Sequence, residues 1–229
     1  MKMNDDQLNL RERAVLWTKE TGVLPAMKLK RDVEDVVPYI EAMVEGGMKV
    51  VEITMTTPGA LRHYEAIRDR FGESVVIASG TTLDAASARL AILSGVGIIV
   101  SPMLKVELIE TAHRYGAACY PGSFTATEVL SAIEAGADMV KIFPGALAGP
   151  KYMTNLKMVY PEVNLIPSGG VELDNAADFI QSGACAISGA RNFFDLEQVE
   201  KHGLTWITEQ VKKYIDIVAE AKRNAPPLP

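Results

Sequence analysis

Short apolar, β-rich runs alternate along this chain with stretches of helical pattern, and most helical stretches end in glycine. Each marker glycine is followed within four residues by the next β-rich run. The markers are Gly46, Gly72, Gly95, Gly116, Gly136 and Gly183. Their spacings are 26, 23, 21, 20 and 47 residues, and the last is two units with one marker missing. That double unit contains a further β-rich run at residues 164–170, so the pattern indicates a repeated strand–helix unit.

An opening run at residues 23–27 brings the count to eight strands, each followed by helical pattern. Glycine just past a helix supplies the left-handed conformation that ends it. Strands that alternate with helices form right-handed βαβ units and a parallel sheet. Eight units in about 200 residues predict an α/β fold of the closed (β/α)8 type, a TIM barrel. A doubly wound open sheet is the alternative, but the repeat is even and no Gly-x-Gly-x-x-Gly follows the first strand.

The two ends of the chain lie outside the repeat. Residues 1–22 have acidic side chains early and basic ones later, which suits an amphipathic helix covering the bottom of the barrel. Residues 204–224 predict a long final helix, and the proline-rich residues 225–229 predict a disordered tail. No linker divides the chain, so we expect residues 1–229 to form one domain.

Composition narrows the class of function. The chain has 229 residues, 48% hydrophobic, with a formal net charge of −6, which argues against nucleic-acid or anionic-membrane binding. Cys119 and Cys185 lack metal-type spacing, which favours free buried thiols in a reducing compartment. No signal peptide and no run of transmembrane length is recognisable, so we expect a cytoplasmic protein without membrane contact.

Lys141 stands inside an apolar run, residues 139–144. Strands that read as continuous apolar runs are buried on both faces. A lysine facing such an interior loses hydration of its charged form, so its pKa falls and its neutral amine becomes a nucleophile. The alternative is a lysine at a strand end whose ammonium extends to water.

Unusual polar strand residues recur at one phase of the repeat, about five or six residues after each marker. They are Glu52, Ser101, Pro121, Lys141 and Ser188. Because chemistry in a barrel gathers at the carboxyl ends of its strands, we expect them to converge on one mouth. Glu52 is the candidate proton-transfer group there, with a structural ion pair to Lys141 as the alternative.

Two glycine-containing segments suit phosphate binding. Ser168-Gly169-Gly170 follows the seventh strand and precedes a helix predicted to begin near Glu172. Ser188-Gly189-Ala190 follows the eighth strand, and Arg191 either adds positive charge to this segment or faces outward. Loops after strands seven and eight commonly form the phosphate site of such barrels, where backbone N–H groups and a helix N-terminus favour an anion.

Histidines contribute nothing to the predicted site. His63 and His113 fall in predicted outer helices, and His202 lies near the C-terminal helix. None has a carboxylate or cysteine at ligand spacing, so we predict no metal site.

With these residues placed, the chain resembles the 2-keto-3-deoxy-6-phosphogluconate (KDPG) and 4-hydroxy-2-oxoglutarate aldolase family, including the similar 2-dehydro-3-deoxy-6-phosphogalactonate aldolases. The resemblance runs from about residue 23 to residue 194. It rests on the motifs at residues 51–54 (VEIT), 79–83 (SGTTL), 100–102 (VSP), 120–122 (YPG), 141–144 (KIFP) and 168–171 (SGGV).

The resemblance implies a class I aldolase that needs no metal or organic cofactor and commonly forms a homotrimer. Lys141 matches the Schiff-base lysine and Glu52 the proton-shuttling glutamate. The residues implied to line the pyruvyl part of the site are Thr81, Pro102 and Phe143. Those implied to hold the phosphate or distal end are Ser168, Gly169, Gly170, Ser188 and Gly189.

One position departs from the family pattern. Many members carry an arginine four residues after the glutamate, reaching the substrate carboxylate, and here that position is Thr56. The galactonate-type branch accepts a neutral residue there and is expected to use a basic residue from strand one. This chain offers Lys28 and Lys30 for that role, while Leu29 is a further candidate for the matching position.

The resemblance and the residues together predict cleavage of a 2-keto-3-deoxy sugar acid, 6-phosphorylated, to pyruvate and an aldehyde such as glyceraldehyde 3-phosphate. The alternatives are a 4-hydroxy-2-oxoglutarate aldolase acting without phosphate, and a sugar-phosphate epimerase or isomerase. A noncatalytic sugar-acid-binding module and an oligomeric scaffold also remain open.

Overall fold

A computed structural model describes residues 7–29, 35–189 and 194–226 of the chain. The strands in chain order are β1 (Val23–Met27), β2 (Val50–Thr54), β3 (Val76–Gly80), β4 (Ile98–Val100), β5 (Ala118–Tyr120), β6 (Gly122–Ser123), β7 (Val140–Ile142), β8 (Leu165–Pro167) and β9 (Ile187–Gly189). The helices are α1 (Leu10–Thr21), α2 (Val37–Glu45), α3 (Ala60–Phe71), α4 (Ala85–Leu93), α5 (Val106–Arg114), α6 (Ala126–Glu134), α7 (Gly145–Val159), α8 (Ala176–Gln181), α9 (Leu196–His202) and α10 (Thr205–Arg223).

The strands form a parallel ring. One sheet has the order β5-β4-β3-β2-β1-β9 and the other the order β6-β7-β8. Strands β5 and β6 are one strand interrupted at Pro121. Isolated parallel bridges, Leu165–Ala184 and Ser168–Ser188, join the chain around β8 to the chain around β9. The ring therefore has eight members, and the predicted (β/α)8 barrel is confirmed.

The repeat that predicted the barrel has a physical basis in the helix ends. Glycines that follow the helices of the repeat have φ between +54° and +107°, namely Gly47, Gly72, Gly95, Gly116, Gly136 and Gly183. These conformations are costly for residues with a side chain, so glycine marks these helix ends. After α2 the left-handed residue is Gly47, one residue beyond the marker Gly46, whose φ is −72°.

Alternation along the strands separates two hydrophobic clusters. The interior cluster of the barrel comprises Leu24, Val50, Val76, Ala78, Ile98, Val100, Ala118, Tyr120, Met139, Ile166 and Ala186, together with Ala14 and Trp17 of α1. Intervening strand residues, such as Val51, Ile53, Val140, Ile142 and Ile187, pack outward against the helices. Because the side-chain period of a strand is two, this division fixes which polar residues point into the barrel.

The extra helix at the N-terminus covers the bottom of the barrel, as predicted. A capping box between Asn9 and Glu12 starts α1. Trp17 and Ala14 then pack into the interior cluster, and the hydroxyl of Thr18 lies 3.1 Å from that of Tyr120. The long final helix α10 packs along the outside against α2 and α8.

Three details of the sequence prediction are wrong. The helix expected near Glu172 begins only at Ala176, because residues 173–175 form a turn, and α8 is six residues long. Ser101 follows the inward-facing Val100 and so lies on the outward face, where its hydroxyl donates to Met103 O at 2.6 Å. Pro121 likewise follows the inward-facing Tyr120.

The predicted tail, residues 225–229, lies outside the described residues from residue 227 onward. Within the described part of the chain, no helix has the length and apolar character needed to cross a membrane.

Candidate active site

Lys141 points into the barrel from β7. Its neighbours Val140 and Ile142 belong to the outer cluster, whereas Met139, two residues earlier, belongs to the interior cluster. The side chain is half-buried, and its Nζ lies 5.5 Å from the centre of the Phe143 ring. The alternation of β7 therefore places the amine inside the mouth rather than on the outer surface.

Glu52 points into the same interior from β2. Val50 is in the interior cluster, while Val51 and Ile53 face the helices. Glu52 is only 4% exposed, and its Oε2 has no hydrogen-bond partner among the described residues. Lys141 and Glu52 do not form an ion pair within 4.0 Å, so their relation is not that of a closed structural salt bridge.

Burial determines the acidity of Glu52. Loss of hydration raises the pKa of its carboxyl above the ordinary value of 4.5, and the positive charge of Lys141 lowers it by a smaller amount. A carboxylate with a raised pKa is a better base than an exposed one, and it holds its proton to a higher pH.

Because Gly80 has no side chain, it leaves room for the carboxylate of Glu52. A Cβ atom added to Gly80 would lie 2.3 Å from Glu52 Oε1 and 3.1 Å from Val100 Cβ. Any side chain at residue 80 would therefore displace the carboxylate. The sequence motif contained this glycine, but its role was missed. The signal was a glycine at the end of an otherwise apolar strand, which often marks a close approach.

Hydroxyl groups line the ends of β2 and β1. Thr54 is buried on the inward face of β2, and its Oγ1 accepts a hydrogen bond from Thr56 Oγ1 at 3.1 Å. It also lies 3.0 Å from Thr57 Oγ1, which accepts from the backbone N–H of Leu29 at 3.2 Å. Thr56 itself is exposed. Thr54 had not been recognised as a candidate, although its alternation with Glu52 would have identified it.

The strand-one candidates differ in where they lie. Leu29 is buried in the outer cluster. Lys28 is exposed, follows the end of β1 and continues the alternation of the inward-facing Leu24. Lys30 lies outside the described residues. Lys28 is therefore the cation that directly follows β1 in the described part of the chain.

Residues expected to line the pyruvyl part are found on the following strands. Thr81 comes directly after β3 and is half-buried, and Pro102 follows β4 in the inward phase of Ile98 and Val100. A Cβ on Gly122 would meet Pro102 C at 2.2 Å, so the chain at Pro102 packs directly on β6. Phe143 is 37% exposed, and its ring would lie 3.1 Å from a Cβ on Gly169.

The two predicted phosphate segments lie side by side. Ser168 and Ser188 are both buried, with their hydroxyl oxygens 3.5 Å apart, and Gly189 pairs with Pro25 of β1. Gly169 and Gly170 have φ of +84° and +77°. The backbone N–H groups of Gly145 and Ala146 donate to Ser168 O and Gly169 O, so the first turn of α7 holds this segment. Ala190 and Arg191 lie outside the described residues.

Neither the histidines nor the cysteines cluster at this mouth. His63 is buried in α3, where its Nε2 contacts Pro58 O at 3.1 Å. Among the residues that the structure describes, no three His, Cys, Asp or Glu side chains are arranged to hold a metal ion. Cys119 and Cys185 are both free thiols.

An eight-stranded barrel with an inward lysine and a buried carboxylate at its mouth defines the class: an enzyme of the lysine-dependent aldolase type. The family model for KDPG and KHG aldolases matches residues 16–210. The chain belongs to the KDPG and KHG aldolase family, and it is a carbon–carbon lyase.

Relatives from two branches of the family are similar to the chain. The 2-dehydro-3-deoxy-6-phosphogalactonate aldolase of Escherichia coli (strain K12) is 34% identical over 169 residues, covering 72% of this chain and 82% of the relative. The 2-dehydro-3-deoxy-phosphogluconate aldolase of Treponema pallidum (strain Nichols) is 29% identical over 197 residues, covering 86% and 93%.

Solved structures are similar in fold to this chain. A structure described as native KDPGal superposes with a TM-score of 0.81 at 27% identity, covering 88% of this chain and 96% of that chain. The 2-keto-3-deoxy-6-phosphogluconate aldolase of Zymomonas mobilis ZM4, solved with 3-phosphoglycerate, gives 0.77 at 26%, covering 90% and 96%. The predicted family and class I aldolase activity are thus confirmed, and the epimerase and binding-module alternatives are not favoured.

Proposed function

We propose that Lys141 is the Schiff-base lysine and Glu52 the proton-transfer group of this aldolase. The observation that supports this most is their arrangement. Both side chains point inward from strands on opposite parts of the ring, and the buried Glu52 has an oxygen without a partner among the described residues.

The chemistry follows from these two groups. The neutral amine of Lys141 attacks the C2 ketone of the substrate, and loss of water leaves an iminium that withdraws electrons. Glu52, directly or through a water, removes the proton from the C4 hydroxyl. The C3–C4 bond then breaks, releasing an aldehyde and leaving an enamine. Protonation of the enamine at C3 and hydrolysis free pyruvate and the lysine. The iminium withdraws the electrons, so this scheme uses no metal or organic cofactor.

We propose a 6-phosphorylated 2-keto-3-deoxy sugar acid of the gluconate or galactonate type as substrate. The similar proteins from Escherichia coli and Treponema pallidum are named for such acids. Ser168, Gly169, Gly170, Ser188 and Gly189 offer hydroxyls and a backbone of positive φ for the phosphate.

The carboxylate of the substrate requires a different partner from arginine. We propose that Thr56 and Lys28 hold it, Thr56 through its hydroxyl and Lys28 through its charge. Support comes from the inward phase and exposure of Lys28 and from the hydroxyl chain that joins Thr56 to Thr54. Thr81, Pro102 and Phe143 then line the pyruvyl methylene and carbonyl.

We further propose a homotrimer. Large apolar side chains are exposed on neighbouring outer helices, with Leu90 and Leu93 of α4 at 52% and 59% and Val106 at the start of α5 at 46%. Such side chains are typical of protein–protein contacts. A chain that is 27% identical is part of a protein cage designed by fusing symmetric oligomeric domains. Light scattering should give about three times the chain mass of 24.8 kDa, and a monomer mass would contradict the proposal.

We also propose that residues 1–229 form a single domain. We propose a cytoplasmic location for the protein. Its support is the pair of free cysteines, which suits a reducing compartment.

A substrate panel tests the function. Pyruvate release is followed by coupling to lactate dehydrogenase, with KDPG, its galactonate epimer and 4-hydroxy-2-oxoglutarate compared at equal concentration. We expect both phosphorylated acids to have a higher kcat/KM than the unphosphorylated one, by about 10-fold or more. A preference for 4-hydroxy-2-oxoglutarate would overturn the phosphate assignment. No pyruvate from any of the three would overturn the function.

A further inference from the structure

Three buried hydroxyl groups lie directly behind the wall of the barrel that carries Glu52. They belong to Tyr64 of α3, Ser79 of β3 and Thr82, which follows β3, and all three side chains are fully buried. None belongs to the site described above. Buried hydroxyls cost free energy unless they are hydrogen-bonded, so their partners indicate what they do.

The three groups form one connected network. The Tyr64 hydroxyl donates to Ile53 O at 2.9 Å and lies 2.9 Å from Ser79 Oγ. Thr82 Oγ1 donates to Ser79 O at 3.1 Å and lies 3.2 Å from Ser79 Oγ. The backbone N–H of Thr82 also donates to Val100 O at 3.0 Å. Helix α3 is thereby fastened to the carboxyl ends of β2, β3 and β4.

The points of attachment flank the proposed reacting groups. Ile53 is the residue after Glu52, and Ser79 is the residue before Gly80, where an added Cβ would clash with Glu52 Oε1. Thr82 is the residue after Thr81. In the strand register Ile53 is paired with Ser79 and Thr54 with Gly80, so the network fixes this register from outside.

Position matters at these residues because a misplacement of about 1 Å can lower a rate by 10²-fold. Strands β2 and β3 end at Thr54 and Gly80, where the chain leaves the sheet and the ladder no longer holds it. The network braces Ile53 and Ser79, one residue before these strand ends, from outside the wall.

We propose that the hydroxyl network of Tyr64, Ser79 and Thr82 is a positioning device that holds Glu52 and Thr81 in their working geometry. The role deepens the proposed function, on which it rests, because it assigns to an outer helix the orientation of the proton-transfer group. Tyr64 touches no substrate and is a positioning residue, not a catalytic one.

The test variant is Tyr64→Phe, which removes one hydroxyl and keeps the ring. We expect kcat to fall about 10-fold while KM changes less than about threefold, because binding groups on other strands are untouched. The acid limb of the kcat profile should move to lower pH, since a loosened Glu52 reaches water and loses part of its raised pKa. Thr82→Val should act similarly, and Thr82→Ser, which keeps the hydroxyl, should restore most of kcat.

Tyr120→Phe is the matched control. Tyr120 is equally buried, and its hydroxyl contacts Thr18 Oγ1 at 3.1 Å and Ala14 O at 3.3 Å at the bottom of the barrel. The two Phe variants should lose similar stability, but Tyr120→Phe should keep the wild-type kcat and pH profile. A Tyr64→Phe enzyme with kcat within twofold of wild type, or a Tyr120→Phe enzyme equally impaired, would overturn the positioning role.

Hydrogen exchange separates this inference from the proposed function. Exchange of the Thr82 amide, measured without substrate, should accelerate in Tyr64→Phe but not in Tyr120→Phe. If the wild-type protein releases no pyruvate from any acid, the function fails while exchange still tests the positioning role. In that case unchanged Thr82 exchange in Tyr64→Phe would overturn the positioning role as well.

Discussion

Each end of the barrel holds a carboxylate with little exposure. The one at the bottom has hydrogen-bond partners on both oxygens, whereas the one at the mouth has an oxygen without a partner within the described residues. At the bottom, Asp138 Oδ1 accepts from Arg11 Nε at 2.7 Å, and Oδ2 lies 3.0 Å from His113 Nε2 and accepts from Cys119 N at 2.9 Å. At the mouth, Glu52 is 4% exposed and its Oε2 has no partner within the described residues.

From this difference we infer that the carboxylate at the bottom stabilises the fold and that the carboxylate at the mouth is available for chemistry. A buried carboxylate whose oxygens are all used ties elements together, here α1, α5, β5 and the start of β7. A buried carboxylate with an unused oxygen costs free energy, and the fold retains it only where it does something else. We propose that the mouth carries the chemistry, because the Glu52 carboxylate there keeps an oxygen available, as expected at the carboxyl ends of barrel strands.

The largest effect should come from Lys141→Met, which removes the proposed nucleophile and keeps the length of the side chain. We expect kcat/KM to fall by about 10³-fold or more, with an unchanged unfolding midpoint or a higher one. Lys49→Met is the control, since Lys49 lies on the surface within 3.2 Å of Glu20. If Lys49→Met were as inactive as Lys141→Met, the assignment of Lys141 would be wrong.

Glu52→Gln should lower kcat by about 10²–10⁴-fold, the usual range for loss of a general acid–base group, with a smaller change in KM. The measurement is steady-state kinetics with the preferred acid of the panel. A variant that retains wild-type kcat would show that proton transfer uses another group.

The same variant tests the raised pKa of Glu52. Because burial raises that pKa in the folded state, the folded protein holds this proton to a higher pH than the unfolded chain. Its contribution to stability is present below the unfolded value of about 4.5 and is lost as pH rises through the folded pKa. Glu52→Gln should therefore be more stable than wild type above that window and similar below it, as measured by chemical unfolding across pH. Equal curves would contradict the raised pKa.

Gly80→Ala should impair the mouth specifically. The added Cβ would lie 2.3 Å from Glu52 Oε1, so we expect kcat to fall about 10–100-fold through displacement of the carboxylate. Gly97→Ala is the comparison at the other end, where the Cβ would meet Leu10 Cδ1 at 3.0 Å. It should cost about 1–3 kcal/mol of stability by overpacking but leave kcat unchanged. Equal kcat losses in both variants would contradict a specific effect of residue 80 on the mouth.

Asp138→Asn should have the smallest effect on activity and a clear one on stability. The amide cannot accept from all three donors, so we expect a loss of about 1–3 kcal/mol in the free energy of unfolding. The kcat below the unfolding transition should equal that of wild type. A stability unchanged from wild type would mean that the bottom network does not join α1 to the barrel.

Much of this arrangement was readable from the sequence because it is periodic. Helix-ending glycines recur at nearly even spacing, and the apolar run around Lys141 makes a polar residue conspicuous. Glu52 and Ser188 were found by the same phase, and the structure shows both pointing inward.

The features that the sequence did not predict depend on which face of a strand a residue lies on and on contacts between different elements. Counting from the glycines does not distinguish the two faces of a strand, so Ser101 and Pro121 were grouped with inward residues although they alternate outward. The start of α8 at Ala176 depends on a local turn. The contact of Gly80 with Glu52 joins two strands, and the bonds from Tyr64 join a helix to both, so no local pattern reports them.

Trapping with borohydride tests whether Lys141 forms the Schiff base with pyruvate. The protein is incubated with pyruvate, reduced, digested and analysed by mass spectrometry. We expect one reduced three-carbon adduct, on Lys141, absent without pyruvate and absent from Lys141→Met. An adduct on another lysine, or none at all, would contradict this role of Lys141.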